Sequence, residues 1–116
     1  MKYLFLLYAD ENGGPEPGSA EGQAEYAAYG AFFEEVDGQG KFMSGDPVQP
    51  STTATTVSVR GGKTDTASGP ARPGGEQLIG FYVLDVADEA EAVALAAKIP
   101  AAKRGRVEAR PILVLP

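Results

Sequence analysis

Two long apolar runs dominate the hydrophobic pattern of the chain, and both predict strands of a sheet. Residues 2–8 (KYLFLLY) and residues 78–86 (LIGFYVLDV) are apolar at most positions on both faces of an extended chain. A run of this length that is bounded by loop-forming residues is typical of a strand buried on both faces. We therefore expect these two segments to lie at the centre of a sheet.

Two further segments have helical spacing. Residues 20–37 place apolar side chains at intervals of three and four, which predicts an amphipathic helix that begins after Ser19 as N-cap. A second helix is predicted to begin at Asp88, with Glu91 three residues later, and to end at Pro100. The stripe of the first helix is expected to pack in the core rather than to hold a cofactor; it contains Tyr26, Tyr29, Phe33 and Val36, and Ala28 and Phe32 widen it.

Shorter segments complete the predicted sheet. Residues 53–60 alternate polar and β-branched side chains, which indicates a half-buried strand near an edge, and residues 63–67 could pair with it as a short hairpin. Residues 41–44 form a further short strand. The last strand covers residues 106–115, and its interior Pro111 favours an edge or a bulge.

The order of these elements, β-α-β-β-α-β with small additional strands, predicts an α+β protein with a ferredoxin-like fold. In this topology two helices cover one face of an antiparallel sheet, and the first and third main strands are central. The apolar runs fall on the central positions, and the alternating and Pro-containing segments fall on the edges. The uncovered face would still be apolar, so we expect a homodimer whose two sheets face each other as an α+β barrel.

Composition narrows the functional classes. The 116 residues suit a single domain, 1–116, and the net charge of −6 argues against a nucleic-acid partner. The chain has no Cys and no His, which removes the commonest general base and the usual zinc and iron ligands, so no metal or other cofactor is expected. No segment is predicted to enter or cross a membrane, and we expect the protein in the cytoplasm.

A Gly-Pro turn near the predicted hairpin supplies the first candidate site. Gly69 could orient Ser68 so that its hydroxyl and the neighbouring amides face a ligand, or the segment could be only a tight turn before the next strand. Asp46 and Asp65 are the candidate catalytic carboxylates. Each could act as an acid or base. Alternatively, Asp46 could be a turn residue that bonds its own backbone, and Asp65 could be a solvated loop carboxylate.

Three further candidates lie on predicted strands. Arg110 could bind a ligand carboxylate, or could pair internally with Glu108 or Asp85. Tyr8 and Tyr82 could each present a hydroxyl to a ligand, although a buried tyrosine usually bonds to the backbone. Half of the ten basic residues lie between positions 98 and 110, as a solvated helix end or as a small anion site.

Several segments together resemble the YCII-related family, and specifically its DGPF branch. The resemblance implies a dimeric ferredoxin-like α+β barrel, in a family of small bacterial proteins of which some are encoded near extracytoplasmic-function sigma factors. Related barrels include a dehydrochlorinase, an isomerase and monooxygenases. The matching segments are, in order, KYLFLLY, STTATTVSVR, the GP of SGPARP, EQLIGFYVLDV, DEAEAVALAAKIP and VEARPILV.

The chain departs from the DGPF branch at the motif that gives the branch its name. The Asp-Gly-Pro-Phe run is replaced by Ser68-Gly69-Pro70-Ala71, so the Asp and the Phe are missing. The family's proposed acid–base pair joins an Asp to a His, and the chain contains no His. These departures favour a non-catalytic module that binds a small anionic or aromatic molecule or has a structural role.

Two alternatives stay open at the level of sequence. The first is a cofactor-free isomerase or lyase that acts on a small organic acid or aromatic compound, with Asp46 or Asp65 as base and Arg110 as anion anchor. The second is a protein-interaction partner, for example of a sigma factor, as the gene context of the family implies.

Overall fold

The computed structural model describes residues 1–116 and confirms the predicted α+β, ferredoxin-like arrangement. A four-stranded sheet has the order β2-β5-β1-β6, and all neighbouring strands are antiparallel. In chain order the elements are β1 (Lys2–Ala9), α1 (Ala20–Gly38), β2 (Phe42–Pro47), a 3₁₀ turn (Ser51–Thr53), β3 (Thr55–Arg60), β4 (Lys63–Ser68), β5 (Gln77–Asp85), α2 (Glu89–Ala96), α3 (Ala101–Arg104) and β6 (Gly105–Pro111).

The two long apolar runs form the central strands, as predicted. Along β1, fully buried side chains alternate with partly exposed ones, because successive residues of a strand point to opposite faces. The buried set packs beneath the three helices, and Phe5, Leu84 and Ile99 are its largest fully enclosed members. The complete core contains Tyr3, Phe5, Leu7, Phe32, Val36, Leu84, Val86, Ala92, Leu95, Ile99 and Ala101.

The opposite face of the sheet has no helix over it. We call this the outer face and define it by five partly exposed apolar residues of β1 and β5. Strand register places Leu4 opposite Val83 and Leu6 opposite Phe81, so these side chains share one surface. The five residues are Leu4, Leu6, Tyr8, Phe81 and Val83.

Both predicted helix starts are confirmed in atomic detail. The Gly22 N–H donates to Ser19 Oγ at 3.0 Å, and the Glu91 N–H donates to Asp88 Oδ1 at 2.9 Å. These bonds satisfy amide groups that have no partner inside the helix. The second helix ends earlier than expected, at Ala96, and a separate short helix, α3, begins just after Pro100. None of the helices has both the length and the apolar character needed to cross a bilayer.

The prediction that residues 53–60 form an edge of the main sheet is wrong. The edge position beside β5 belongs to β2, while β3 pairs only with β4 in a separate two-stranded sheet. The reason lies in side-chain size: Phe42 of β2 packs edge-on against Phe33 of α1, with ring centroids 4.8 Å apart, whereas β3 has no apolar side chain larger than valine. The larger apolar residue anchors its strand to the core.

The β3–β4 hairpin closes through a two-residue turn of consecutive glycines. Gly61 and Gly62 have φ angles of 56° and 76°, the left-handed conformation that a tight type I′ turn requires at both central positions. Strand β6 also ends earlier than predicted. It stops at Pro111; the Ile112 N–H still donates to the Lys2 carbonyl oxygen at 2.9 Å, and residues 113–115 continue as an exposed segment.

Candidate functional site

A cavity of about 540 Å³ lies between α1 and the side of the sheet formed by β2 and β5. Its walls are mainly aromatic and glycine residues, with a few polar groups at the margin. A cavity of this size is within the usual range for small-molecule sites, which are mostly apolar with a few oriented polar groups. It is therefore the strongest candidate for a binding site in the chain.

One flank of α1 forms the helical wall of this cavity. Tyr26, Tyr29, Gly30 and Phe33 lie three, four and seven residues apart, so they share one side of the helix. The prediction that the aromatic stripe is buried in the core is only partly correct. Helix α1 buries Phe32 and Val36 against the sheet. Tyr26 and Phe33 lie to the side of this buried pair and are 83% and 38% exposed.

Gly30 occupies the middle of α1, where glycine is unfavourable. A Cβ atom built at this position would meet no heavy atom within 4 Å, so no neighbouring group requires the absence of a side chain. Glycine in a helix interior costs about 0.5–1 kcal/mol relative to alanine. The residue leaves the helical wall of the cavity open at this point.

Two further glycines shape the sheet wall, for a different reason. A Cβ at Gly45 of β2 would lie 2.7 Å from Cδ1 of Tyr82, and a Cβ at Gly80 of β5 would lie 3.1 Å from the carbonyl oxygen of Asp46. Glycine in a strand often marks such a close approach. Gly45 allows the Tyr82 ring to lie close against the sheet wall, and Gly80 allows the backbone of β2 to approach β5 closely.

Three tyrosines line the cavity, and two of them, Tyr29 and Tyr82, are partly buried. Burial, and next the negative charge of Glu25, raise the pKa of Tyr29 to about 12, and burial raises the pKa of Tyr82. Both hydroxyls are therefore neutral near pH 7, where each can donate and accept a hydrogen bond. The Tyr82 ring is held edge-on against Phe32, with ring centroids 5.2 Å apart.

The one cationic side chain at the cavity, Arg104 of α3, is already paired. Its Nε donates to Glu25 Oε1 at 2.9 Å, and its Nη1 donates to the carbonyl oxygen of Asp10 at 3.3 Å. Other members of the basic segment 98–110 also have acidic partners: Lys98 bonds to Glu35 at 2.8 Å. The segment is thus divided among separate ion pairs and does not gather into one cationic surface.

Of the seven candidates from the sequence, Tyr82 and Asp46 lie at this cavity. Tyr82 contributes its ring. Asp46 contributes to the β2 side of the wall, but it follows Gly45, which faces Tyr82, so alternation along the strand puts the Asp46 carboxylate on the outer side of the sheet. The residue is exposed there.

Three candidates belong to the β3–β4 hairpin, away from the cavity lining. Asp65 is exposed on β4 opposite Ser58, and Ser68 is the exposed last residue of the same strand. Gly69 has a φ of 106°, and its N–H donates to the Ala54 carbonyl oxygen at 2.8 Å. In this structure the Gly-Pro turn closes the base of the hairpin.

The remaining two candidates, Tyr8 and Arg110, lie on the outer side of the sheet. Tyr8 is opposite Arg106 of β6, and Arg110 is opposite Leu4. Arg110 forms the predicted internal ion pair, in which its guanidinium binds the Glu108 carboxylate. No three acidic side chains converge in a way that could hold a metal ion.

Sequence reasoning missed Tyr29, Gly30 and Arg104 as members of a site. The sequence did contain a signal for Tyr29 and Gly30, because a glycine in the middle of a helix is unfavourable and often has a packing or functional cause. For Arg104 there was none, because its place at the cavity depends on how α3 packs.

The antiparallel sheet, the helices on one face and the open, largely apolar cavity define a small α+β protein of the ferredoxin-like class. The family model of the YCII-related domain matches residues 1–116, and the chain therefore belongs to this family. This confirms the resemblance at the level of the family; membership of the DGPF branch stays a prediction. A search of curated proteins gave no match.

Proposed function

We propose that the chain is a non-catalytic module that binds a small molecule in the cavity between α1 and the β2–β5 side of the sheet. The observation that carries this proposal is Gly30. An alanine would fit there and would favour the helix, yet the position is left without a side chain and the cavity stays open. Departures from local stability rules of this kind are expected at functional sites.

The lining indicates the class of ligand. Aromatic rings from α1, β2 and β5 surround the space, and the hydroxyls of Tyr29 and Tyr82 are neutral. The Arg104 guanidinium is paired with Glu25, so a free anion would find no unpaired cation among these groups. A neutral aromatic molecule with one or two hydrogen-bonding groups would fit this lining, since rings favour edge-on and offset stacking.

A fluorescence titration with N-phenyl-1-naphthylamine, a neutral aromatic probe, tests the proposal. We expect saturable binding to the wild type and at least about tenfold weaker binding to Gly30→Leu, because Gly30 lines the cavity and a leucine there is expected to occupy part of it. Gly38→Leu is the matched control, because Gly38 is also in α1 but does not line the cavity. Equal binding by Gly30→Leu and the wild type would place the site elsewhere.

We also propose that the protein acts as a homodimer in the cytoplasm. The outer face supports this assembly, because its apolar residues are uncovered in the single chain and monomers rarely expose a contiguous apolar surface. Light scattering should give a mass near twice the chain mass of 12.1 kDa. A mass near that of one chain at micromolar concentration would refute the dimer without affecting the cavity proposal.

A further inference from the structure

The β3–β4 hairpin, residues 55–68, projects from the main sheet, and we call it the arm. Its two strands pair only with each other, and every residue of β4 is exposed. A two-stranded hairpin is at best marginally stable in water unless a further strand, a helix or another surface packs on it. The arm therefore needs a surface that its own sheet does not provide.

The two faces of the arm differ in chemistry. Register places Val57 opposite Thr66 and Val59 opposite Thr64, so one face carries only uncharged, methyl-bearing side chains near its centre. The charged residues of the arm, Arg60, Lys63 and Asp65, lie on the other face.

On β3 the valines of the uncharged face are more exposed than Thr56 and Ser58 on the other face, whereas the residues of β4 are exposed on both faces. Val57 is 59% exposed and Val59 is 55% exposed, whereas Ser58 between them is half-buried. A monomer normally has the reverse pattern, with apolar side chains turned toward its own body. The orientation of this arm instead suits a surface on another molecule.

The size of the exposed surface supports the same conclusion. The chain exposes 7927 Å², whereas a compact chain of this mass exposes roughly 6,000 Å². Its radius of gyration is 16.1 Å, against about 13 Å for a compact domain of the same length. The excess of about 1,900 Å² per chain is what each partner of an obligate homodimer typically buries.

We propose that the uncharged face of the arm packs against a second copy of this chain, as part of the interface of the homodimer proposed above. A second copy is the occupant because the outer face and the arm are both uncovered apolar surfaces of the same chain. Two-fold symmetry lets two identical chains cover both surfaces at once. A different protein would have to present surfaces complementary to both the outer face and the arm.

Adjacent residues on opposite faces of the arm give a matched pair of variants. We expect Val57→Lys to weaken dimerisation at least tenfold in sedimentation equilibrium, because it puts a charge at the interface. Ser58→Lys should change the dissociation constant by less than about threefold, because its charge lies on the other face beside Asp65. If the wild type dimerises and both variants match it, the arm proposal fails and the dimer stands. If the wild type is monomeric, both fail.

A cross-linking experiment tests the same contact without relying on a weakened dimer. Because the chain has no Cys, Val57→Cys provides a single attachment point for a benzophenone maleimide. Irradiating a mixture of isotopically light and heavy protein should give cross-linked peptides that contain both isotopes. Cross-links confined to the chain that carries the label would overturn the proposal, since the arm would then fold onto its own body.

Discussion

Replacing Gly30 with alanine should stabilise the protein and weaken its binding of an aromatic molecule. The added Cβ atom would have no heavy atom within 4 Å, so the substitution causes no clash. The gain in helix propensity is about 0.5–1 kcal/mol, which for a chain of this size corresponds to a rise of about 3 °C in Tm. Because Gly30 lines the cavity, we expect the new methyl group to narrow it and the affinity for the probe to fall roughly threefold.

The measurement pairs thermal unfolding, followed by circular dichroism, with the N-phenyl-1-naphthylamine titration. Both are made at one protein concentration, because the melting of a dimer depends on concentration. Gly38→Ala is the control: it lies at the end of α1, meets no heavy atom within 4 Å and is not part of the cavity wall. It should leave probe affinity unchanged.

The structure predicts that Gly30→Ala raises Tm and lowers the affinity for the probe. A fall in Tm for Gly30→Ala would show that the position is already packed in solution, which contradicts an open helical wall. A rise in Tm with unchanged affinity would show that the probe does not use this cavity. Either result would remove the main support for the proposed binding function.

Three further predictions follow from the pKa shifts and from the sheet wall. A hydrogen bond from the Lys41 ammonium lowers the pKa of Glu91, so part of the stability should be lost as the pH falls below about 4.5. The urea midpoint of Glu91→Gln should therefore depend less steeply on pH in the acid range than that of the wild type. The pKa of Tyr29 is about 12, so stability should fall as the pH rises above 10, because the tyrosine then ionises in the unfolded chain but not yet in the folded one. The Tyr29→Phe variant should lose less stability over this range. It should also lack the most alkaline step in the absorbance titration of the tyrosines. Gly45→Ala should destabilise the protein by about 1–3 kcal/mol in urea unfolding, because its Cβ would lie 2.7 Å from the Tyr82 ring; wild-type stability would show that the ring is free to move.

The parts of the fold that could be predicted are those that short segments specify. Strand β1 reads as a buried strand because both of its faces are apolar, and α2 is marked by Asp88 and Glu91 at capping-box spacing. Each signal depends on residues only a few positions apart. The family resemblance was also visible, since its segments occur along most of the chain in the correct order.

The edge strand and the site could not be predicted in this way, because they depend on contacts between distant segments. Residues 53–60 have a better strand pattern than β2, but the contact between Phe42 and Phe33 decides which segment joins the sheet. The alternation of side chains along a strand also does not determine which of its two faces packs against the helices. The Asp46 carboxylate was therefore a reasonable candidate until the position of Gly45 placed it on the outer side.

The protonation states in the cavity bear on whether binding leads to chemistry. A general base works best when its pKa is near the operating pH, and the pKa of Tyr29, about 12, is far above it, while burial moves that of Tyr82 in the same direction. Asp65 is exposed on the arm, and the Asp46 carboxylate lies on the outer side of the sheet. The groups that do face the cavity can hold a molecule and orient it by hydrogen bonds, but near neutral pH they hold their protons. This is why we favour a binding module over an isomerase or lyase that would need to abstract a proton.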